Sequence, residues 1–210
     1  MDAIALLKAD HKTVEKLFKE FEKLVKKDGS PAEKKKVVDQ ISKELVTHAW
    51  IEEQLFYPDI REQNDEIEDD VLEALEEHHI VKWTLSELAN MDPSAERYDA
   101  KVTVLMESVR HHVEEEESEM FPEVRKSLGR KGLQEMGVQL QKLKKTAPNK
   151  PMPQLPDEPP SSTPAKRAAK AVAAKDAAKP RTTPARKSAA TKAPATKAPS
   201  KAPTRGRAKV

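Results

Sequence analysis

His48-Ala49-Trp50-Ile51-Glu52-Glu53-Gln54-Leu55-Phe56-Tyr57-Pro58 is repeated in outline by His112-Val113-Glu114-Glu115-Glu116-Glu117-Ser118-Glu119-Met120-Phe121-Pro122. In both, Glu follows the His at i+4 and at i+5, and an aromatic residue with Pro closes the stretch at i+10. A shorter stretch precedes each. Asp10-His11-Lys12-Thr13-Val14 comes before the first, and Glu77-His78-His79-Ile80-Val81 before the second; both read acid-His-x-x-Val. The chain thus presents a single His and then His-x-x-x-Glu, twice over. Such a duplication points to two equivalent halves.

Working outward, residues 1–145 read as helix, with Gly and Pro confined to boundaries. The first helix is expected from Asp2 to Lys27, with Gly29 as its C-terminal stop. Ser30-Pro31-Ala32-Glu33 spells a capping box with Pro at the first helical position. The second helix is expected to run to Tyr57, where Pro58 ends or kinks it. The third spans Glu66 to Asn90. The fourth starts at Asp92-Pro93, reaches Phe121-Pro122 and continues beyond. Gly129-Arg130-Lys131-Gly132 breaks the chain, and Leu133 to Lys144 can form a short fifth helix.

Apolar residues recur at steps of three and four in each helix: Ile4, Leu7, Val14, Phe18, Phe21 and Val25; Val38, Ile41, Leu45 and Leu55; Val71, Leu75, Val81, Leu85 and Leu88; Val102, Leu105 and Val109. Each series is an inward stripe. The gaps fall on His11, on His48 and Glu52, and on His78; the last stripe continues onto His112 and Glu116. The expected fold is all-α, an antiparallel up-down-up-down four-helix bundle. The four His lie at similar depths and would meet in one core layer. The same register puts His79 and His111 on other faces, and leaves Glu53 and Glu117, next to the inward Glu, less well aimed at that layer. It leaves most of Glu114–Glu117 on a solvated face. Trp50, Trp83 and Tyr57 read as packing residues.

Four imidazoles and two carboxylates are too much polarity to bury without a partner, since a lone buried carboxylate costs several kcal/mol. A metal takes neutral imidazole nitrogen and carboxylate oxygen, and its charge offsets that of the carboxylates. His and Glu four apart share a face, so one turn supplies two ligands. Six ligands exceed one tetrahedral site and suit two metals bridged by carboxylates. The absence of sulfur disfavours iron–sulfur clusters and Cu(I). Two irons are favoured over manganese or zinc.

Asp10-His11, His48-x-x-x-Glu52 with Phe56-Tyr57-Pro58, Glu77-His78-His79, and His112-x-x-x-Glu116 with Phe121-Pro122 together resemble the hemerythrin-like HHE cation-binding family. The resemblance covers residues 1 to about 125. It implies a non-haem di-iron site with His11, His48, His78 and His112 as terminal ligands and Glu52 and Glu116 as bridges. Oxygen-carrying hemerythrins have a further His one turn after the third-helix His, where this chain has Lys82. Four His rather than five implies more open metal positions and argues against simple reversible O2 transport.

The charge of the whole chain, +2, hides an asymmetry. Residues 141–210 hold 18 Lys+Arg against 3 Asp+Glu, or +15, leaving −13 on residues 1–140. Lys, Ala and Pro dominate 146–210 in units such as Ala-Thr-Lys-Ala-Pro, with too few apolar side chains to offset the entropy of ordering. This stretch is expected to be a disordered tail. It resembles the basic tails of linker histones and histone-like bacterial proteins, which implies DNA or RNA, or another polyanion, bound through phosphates without sequence specificity. The expected organisation is a bundle domain over 1–145, with the metal site within 11–116, and a tail over 146–210. There is no Cys, hence no disulfide framework and no thiolate ligand. No apolar run would span a bilayer and no signal peptide is visible. A cytoplasmic protein is expected, associated with the nucleoid through its tail.

The leading expectation is a di-iron protein that binds, senses or detoxifies a small oxidant such as O2, NO or peroxide. Two alternatives stay open: a non-enzymatic module that responds to iron or oxygen, and a zinc-stabilised structural bundle with an interaction tail.

Overall fold

A computed structural model describes residues 1–148, which are all-α with no strand among them. The expected disordered tail lies outside the described residues from 149 onward. The elements are α1 (Ala3–Lys26), α2 (Pro31–Ile51), a π-helical turn (Glu52–Phe56), α3 (Tyr57–Gln63), a 3-10 turn (Asp65–Ile67), α4 (Glu68–Asn90), α5 (Tyr98–Glu115), a second π-helical turn (Glu116–Met120) and α6 (Phe121–Lys144). α1, α2, α4 and α5 form an antiparallel four-helix bundle, in which α1 packs on α2 and α4 on α5.

Local chemistry sets the boundaries. Asp2 Oδ1 caps α1 by accepting from the Ala5 amide. Ser30 and Glu33 form the expected capping box, each side chain accepting from the other's backbone N–H. The positive φ at the end of α1 falls on Asp28 (51°), not on Gly29, whose N–H donates to Leu24 O at 2.8 Å. α5 starts later than Asp92-Pro93 suggests. Asp92 Oδ1 accepts from the Ser94 amide at 2.8 Å, and the Ala95 N–H donates to Asp92 O. These turns take up the segment before Tyr98.

Neither Pro58 nor Pro122 ends a helix. Each follows a π-helical turn that opens at the Glu of His-x-x-x-Glu, with Tyr57 N–H bonded to Glu52 O and Phe121 N–H to Glu116 O. A proline ring clashes with the carbonyl four residues back. One residue more per turn relieves that clash, and π-turns of this kind concentrate at functional sites.

The real break is at Gly129, with φ 60° and ψ −178°. That φ favours glycine, and the helix resumes ahead of Gly132. The rest of α6 returns along the start of α1. Gly137 allows that approach, because a Cβ there would lie 2.5 Å from Met1 O and 2.8 Å from Ala3 N.

The core is in two parts. One gathers Ile4, Leu7, Phe56, Phe121, Leu133 and Leu140 with their neighbours. The other gathers Phe18, Phe21, Ile41, Leu85, Val102 and Leu105 with theirs. Burying a side chain of this size contributes about 1.5–3 kcal/mol. Val25, expected inward, is 39% exposed near the end of α1. His11, His48, Glu52, His78, His112 and Glu116, the gaps in the stripes, form a buried polar layer between residues of the two parts.

Candidate metal centre

All six side chains are at most 6% exposed. Each His comes from its own helix, α1, α2, α4 and α5. The Nε2 atoms converge in two pairs. His11 and His48 Nε2 lie 3.1 Å apart, and His78 and His112 Nε2 also 3.1 Å apart. Each carboxylate touches one member of each pair. Glu52 Oε2 lies 3.2 Å from His48 Nε2 and 3.5 Å from His78 Nε2. Glu116 Oε2 lies 3.3 Å from His11 Nε2 and 3.7 Å from His112 Nε2.

The Nδ1 atoms face outward onto a ring of carboxylates that closes around the bundle. Asp10 of α1 stands 3.7 Å from His48 Nδ1 on α2, an electrostatic contact beyond hydrogen-bond length. Glu53, in the π-helical turn that follows α2, accepts from His78 Nδ1 on α4 at 3.0 Å. Glu77 of α4 accepts from His112 Nδ1 on α5 at 2.7 Å. Glu117 follows α5 and accepts from His11 Nδ1 at 2.9 Å. In each case one helix holds the imidazole of the next. A carboxylate on Nδ1 fixes the tautomer that leaves Nε2 free to bind a metal.

The expectation that Glu53 and Glu117 are less well aimed misses this ring. It assumed an unbroken α-helical rotation, whereas both residues sit in the widened turns. Glu53 is 4% exposed, and Lys82, at 8%, is buried against it. Tyr57 does more than pack: its hydroxyl donates to Glu116 Oε1 at 3.0 Å. The clue in the sequence was the repeated Glu-Glu pair with its aromatic-Pro ending. His79 is exposed. His111 is exposed too and faces Glu115 at 3.2 Å.

The electrostatics of the layer favour positive charge. Burial, and then the Glu116 carboxylate, push Glu52 well above the usual carboxylate range. Glu116 is equally desolvated, yet His112 and His11 beside it hold it low. Burial lowers His48 to about 4, against the pull of Asp10, and lowers His78 as well. His112 is raised despite burial, by Glu116 and Glu77. Both Glu52 oxygens and Glu116 Oε2 are buried without a hydrogen-bond partner, a costly state for a carboxylate. Unpaired buried oxygens beside converging Nε2 atoms are the donor set a hard or borderline metal ion takes. His11, His48, Glu52 and Glu116 bring ligand atoms within 4.8 Å of one another, and so do Glu52, His78 and His112.

The sequence model of the hemerythrin HHE cation-binding domain matches residues 2–124. The chain belongs to this family. A hemerythrin-family protein with these buried His and Glu clusters is a metal-binding module. Over 123 residues the chain is 31% identical to a protein of Nostoc sp. named DNA nickase; the match takes in 59% of this chain and 33% of that one. Over 118 residues it is 29% identical to an uncharacterised hemerythrin-like protein of Schizosaccharomyces pombe, covering 56% of this chain and 58% of that one. The chain therefore spans only a third to just over half of the lengths of these relatives. No solved structure matches it.

Above the imidazoles is a small apolar cavity. All four His line it, with Val14, Leu45, Ala49, Val81, Val109 and Val113. Its volume of about 20 Å3 is room for roughly one water-sized molecule. Among the described residues no helix is long and apolar enough to cross a membrane.

Proposed function

We propose that the buried layer holds two iron ions and that the protein binds or reduces one small uncharged oxidant, O2, NO or hydrogen peroxide, in the apolar cavity above them. The observation that carries this reading is the joint one: two pairs of Nε2 atoms, each carboxylate reaching both pairs, and an apolar cavity lined by the same four imidazoles. His11 and His48 would hold one ion and His78 and His112 the other, with Glu52 and Glu116 between. Bound iron supplies redox chemistry and Lewis acidity.

The chain's own residues set the conditions. The valines exclude bulk water and favour an uncharged guest. The outer carboxylates hold each imidazole in one orientation. The Tyr57 hydroxyl, 3.0 Å from Glu116 Oε1, fixes that carboxylate and carries a proton at the edge of the site.

The test is metal analysis of protein purified without added metal, followed by exposure of the reduced protein to O2, NO or peroxide. Two irons per chain, with a visible spectrum that changes on exposure and is lost in His48→Ala, are expected. Stoichiometric zinc, or peroxide turnover that survives His48→Ala, would overturn the reading.

A second reading concerns the tail. Its charge supports binding to nucleic acid, and one relative is named for an activity on DNA. Full-length protein is expected to shift a DNA duplex at low salt, and residues 1–145 to lose that shift while keeping their metal. Equal shifts by both would remove the tail from the account.

A further inference from the structure

A narrow cleft reaches the metal layer from the side of α4 and α5. Asp70, Glu73 and Glu77 line it from α4, Glu115 and Glu119 from the opposite wall, and Glu116 and His112 from the layer itself. Among the described residues Asp70, Glu73 and Glu119 pair with no Lys or Arg. Uncompensated acids three and four apart on a helix repel one another. Glu116, which stands in the lining, is 1% exposed; its Oε1 accepts from Tyr57 and its Oε2 has no hydrogen-bond partner. Glu77, His111 and Glu115 form a separate cluster, with one ligand atom from each lying within 4.8 Å of the others.

We infer that Glu77, His111 and Glu115 form an outer site for a divalent metal ion, and that the acidic cleft passes ions from it to the buried layer. The inference rests on the buried metal site proposed above. Imidazole with two carboxylates suits Fe(II), and equally Mn(II), Co(II) or Zn(II). His111 is well exposed and Glu77 partly so, which lets a hydrated ion arrive. Glu77 links the two sites, since the carboxylate that reaches the outer cluster also accepts from His112 Nδ1 at 2.7 Å. An ion drawing Glu77 outward frees His112 to reorient, and the next ligand inward is Glu116. A cleft lined by one sign of charge raises the arrival rate of the opposite sign by about 10- to 1,000-fold. The apolar cavity, lined by Val109 and Val113, shares only His112 with the cleft.

The experiment is a titration of metal-free full-length protein with Co(II), read by visible absorption, with uptake followed by stopped flow. Two tight equivalents and a weaker third are expected. In His111→Ala/Glu115→Gln the third should vanish, the two tight ones remain, and uptake slow by about tenfold or more. Asp70→Asn/Glu73→Gln, which spares every outer ligand, should keep all three equivalents and slow uptake alone. Two tight equivalents, no third, and uptake unchanged in both variants would overturn the outer site and leave the buried one standing. No tight Co(II) at all would sink the buried site and this inference with it.

Discussion

The Lys82 ammonium donates to both oxygens of Glu53, at 2.9 and 3.0 Å. Glu53 Oε1 in turn accepts from His78 Nδ1. Lys82 stands one turn after His78, where oxygen-carrying hemerythrins have a further His. Instead of a metal ligand it provides a buried cation that balances the carboxylate behind His78. The pair keeps the Glu53 carboxyl below its usual range even though burial pushes it up.

Lys82→Met should therefore destabilise the protein strongly, by about 3–5 kcal/mol, because it strands Glu53 as a buried unpaired charge. Lys82→Met/Glu53→Gln should recover most of that loss, since neither charge then remains. Urea denaturation of the four proteins of this cycle measures it. A double variant as unstable as Lys82→Met would show that the ammonium acts through packing and not through Glu53.

Much of this site could be read before any coordinates. A polar residue in an apolar stripe is conspicuous, and four stripes with gaps at matching depth placed His11, His48, His78, His112, Glu52 and Glu116 in one layer. The outer ring was hidden for two reasons. Its contacts all run between helices, so no spacing within one helix records them. Glu53 and Glu117 also sit in π-helical turns, where a rotation of 100° per residue no longer says which way a side chain faces. Lys82 was visible as a missing His, but its burial depends on Glu53, which the same register left less well aimed. The expectation that Pro58 ends or kinks the helix lacked the widened turn before it, which removes the clash that would otherwise end the helix.

Gly137 should tolerate no side chain. Its missing Cβ faces the backbone of Met1, Asp2 and Ala3, all within 2.8 Å of where that atom would lie. Gly137→Ala forces α6 away from the start of α1, at a cost of about 1–3 kcal/mol. It should also weaken the Lys144 contact to Asp10, yet leave metal stoichiometry unchanged. Thermal melting and metal analysis on the same sample check both halves. An unchanged melting temperature would mean that the two segments part at little cost.

His48 makes the metal-free protein sensitive to acid. Its imidazole titrates near 6.5 when unfolded and at about 4 when buried. A depressed imidazole pKa means that the neutral form is favoured in the fold. As pH falls from 6.5 to 4, the unfolded chain gains a proton that the native state refuses, and stability drops by up to about 3 kcal/mol. His48→Gln cannot take that proton. Its stability should fall less over the same window, by about one proton's worth of slope. Parallel curves for the two proteins would place the acid sensitivity elsewhere.

Glu52 works in the opposite direction. Its carboxyl is raised by burial and by Glu116, so the fold favours its protonated form. That stability is present below the unfolded pKa of about 4.3 and is lost as pH rises toward the folded value. At neutral pH Glu52 therefore strains the metal-free protein, and both its oxygens lack partners. Glu52→Gln removes the titration and keeps the shape. The metal-free variant should be more stable than the wild type by about 1–3 kcal/mol at pH 7, with the gap closing toward pH 4. It should also lose tight metal binding, because a neutral amide cannot balance an ion shared between the two His pairs. Denaturation curves from pH 4 to 8, beside a metal titration of each protein, test the two effects together. A variant that gains no stability yet loses metal would show that the buried carboxylate is relieved in solution by something other than the ion.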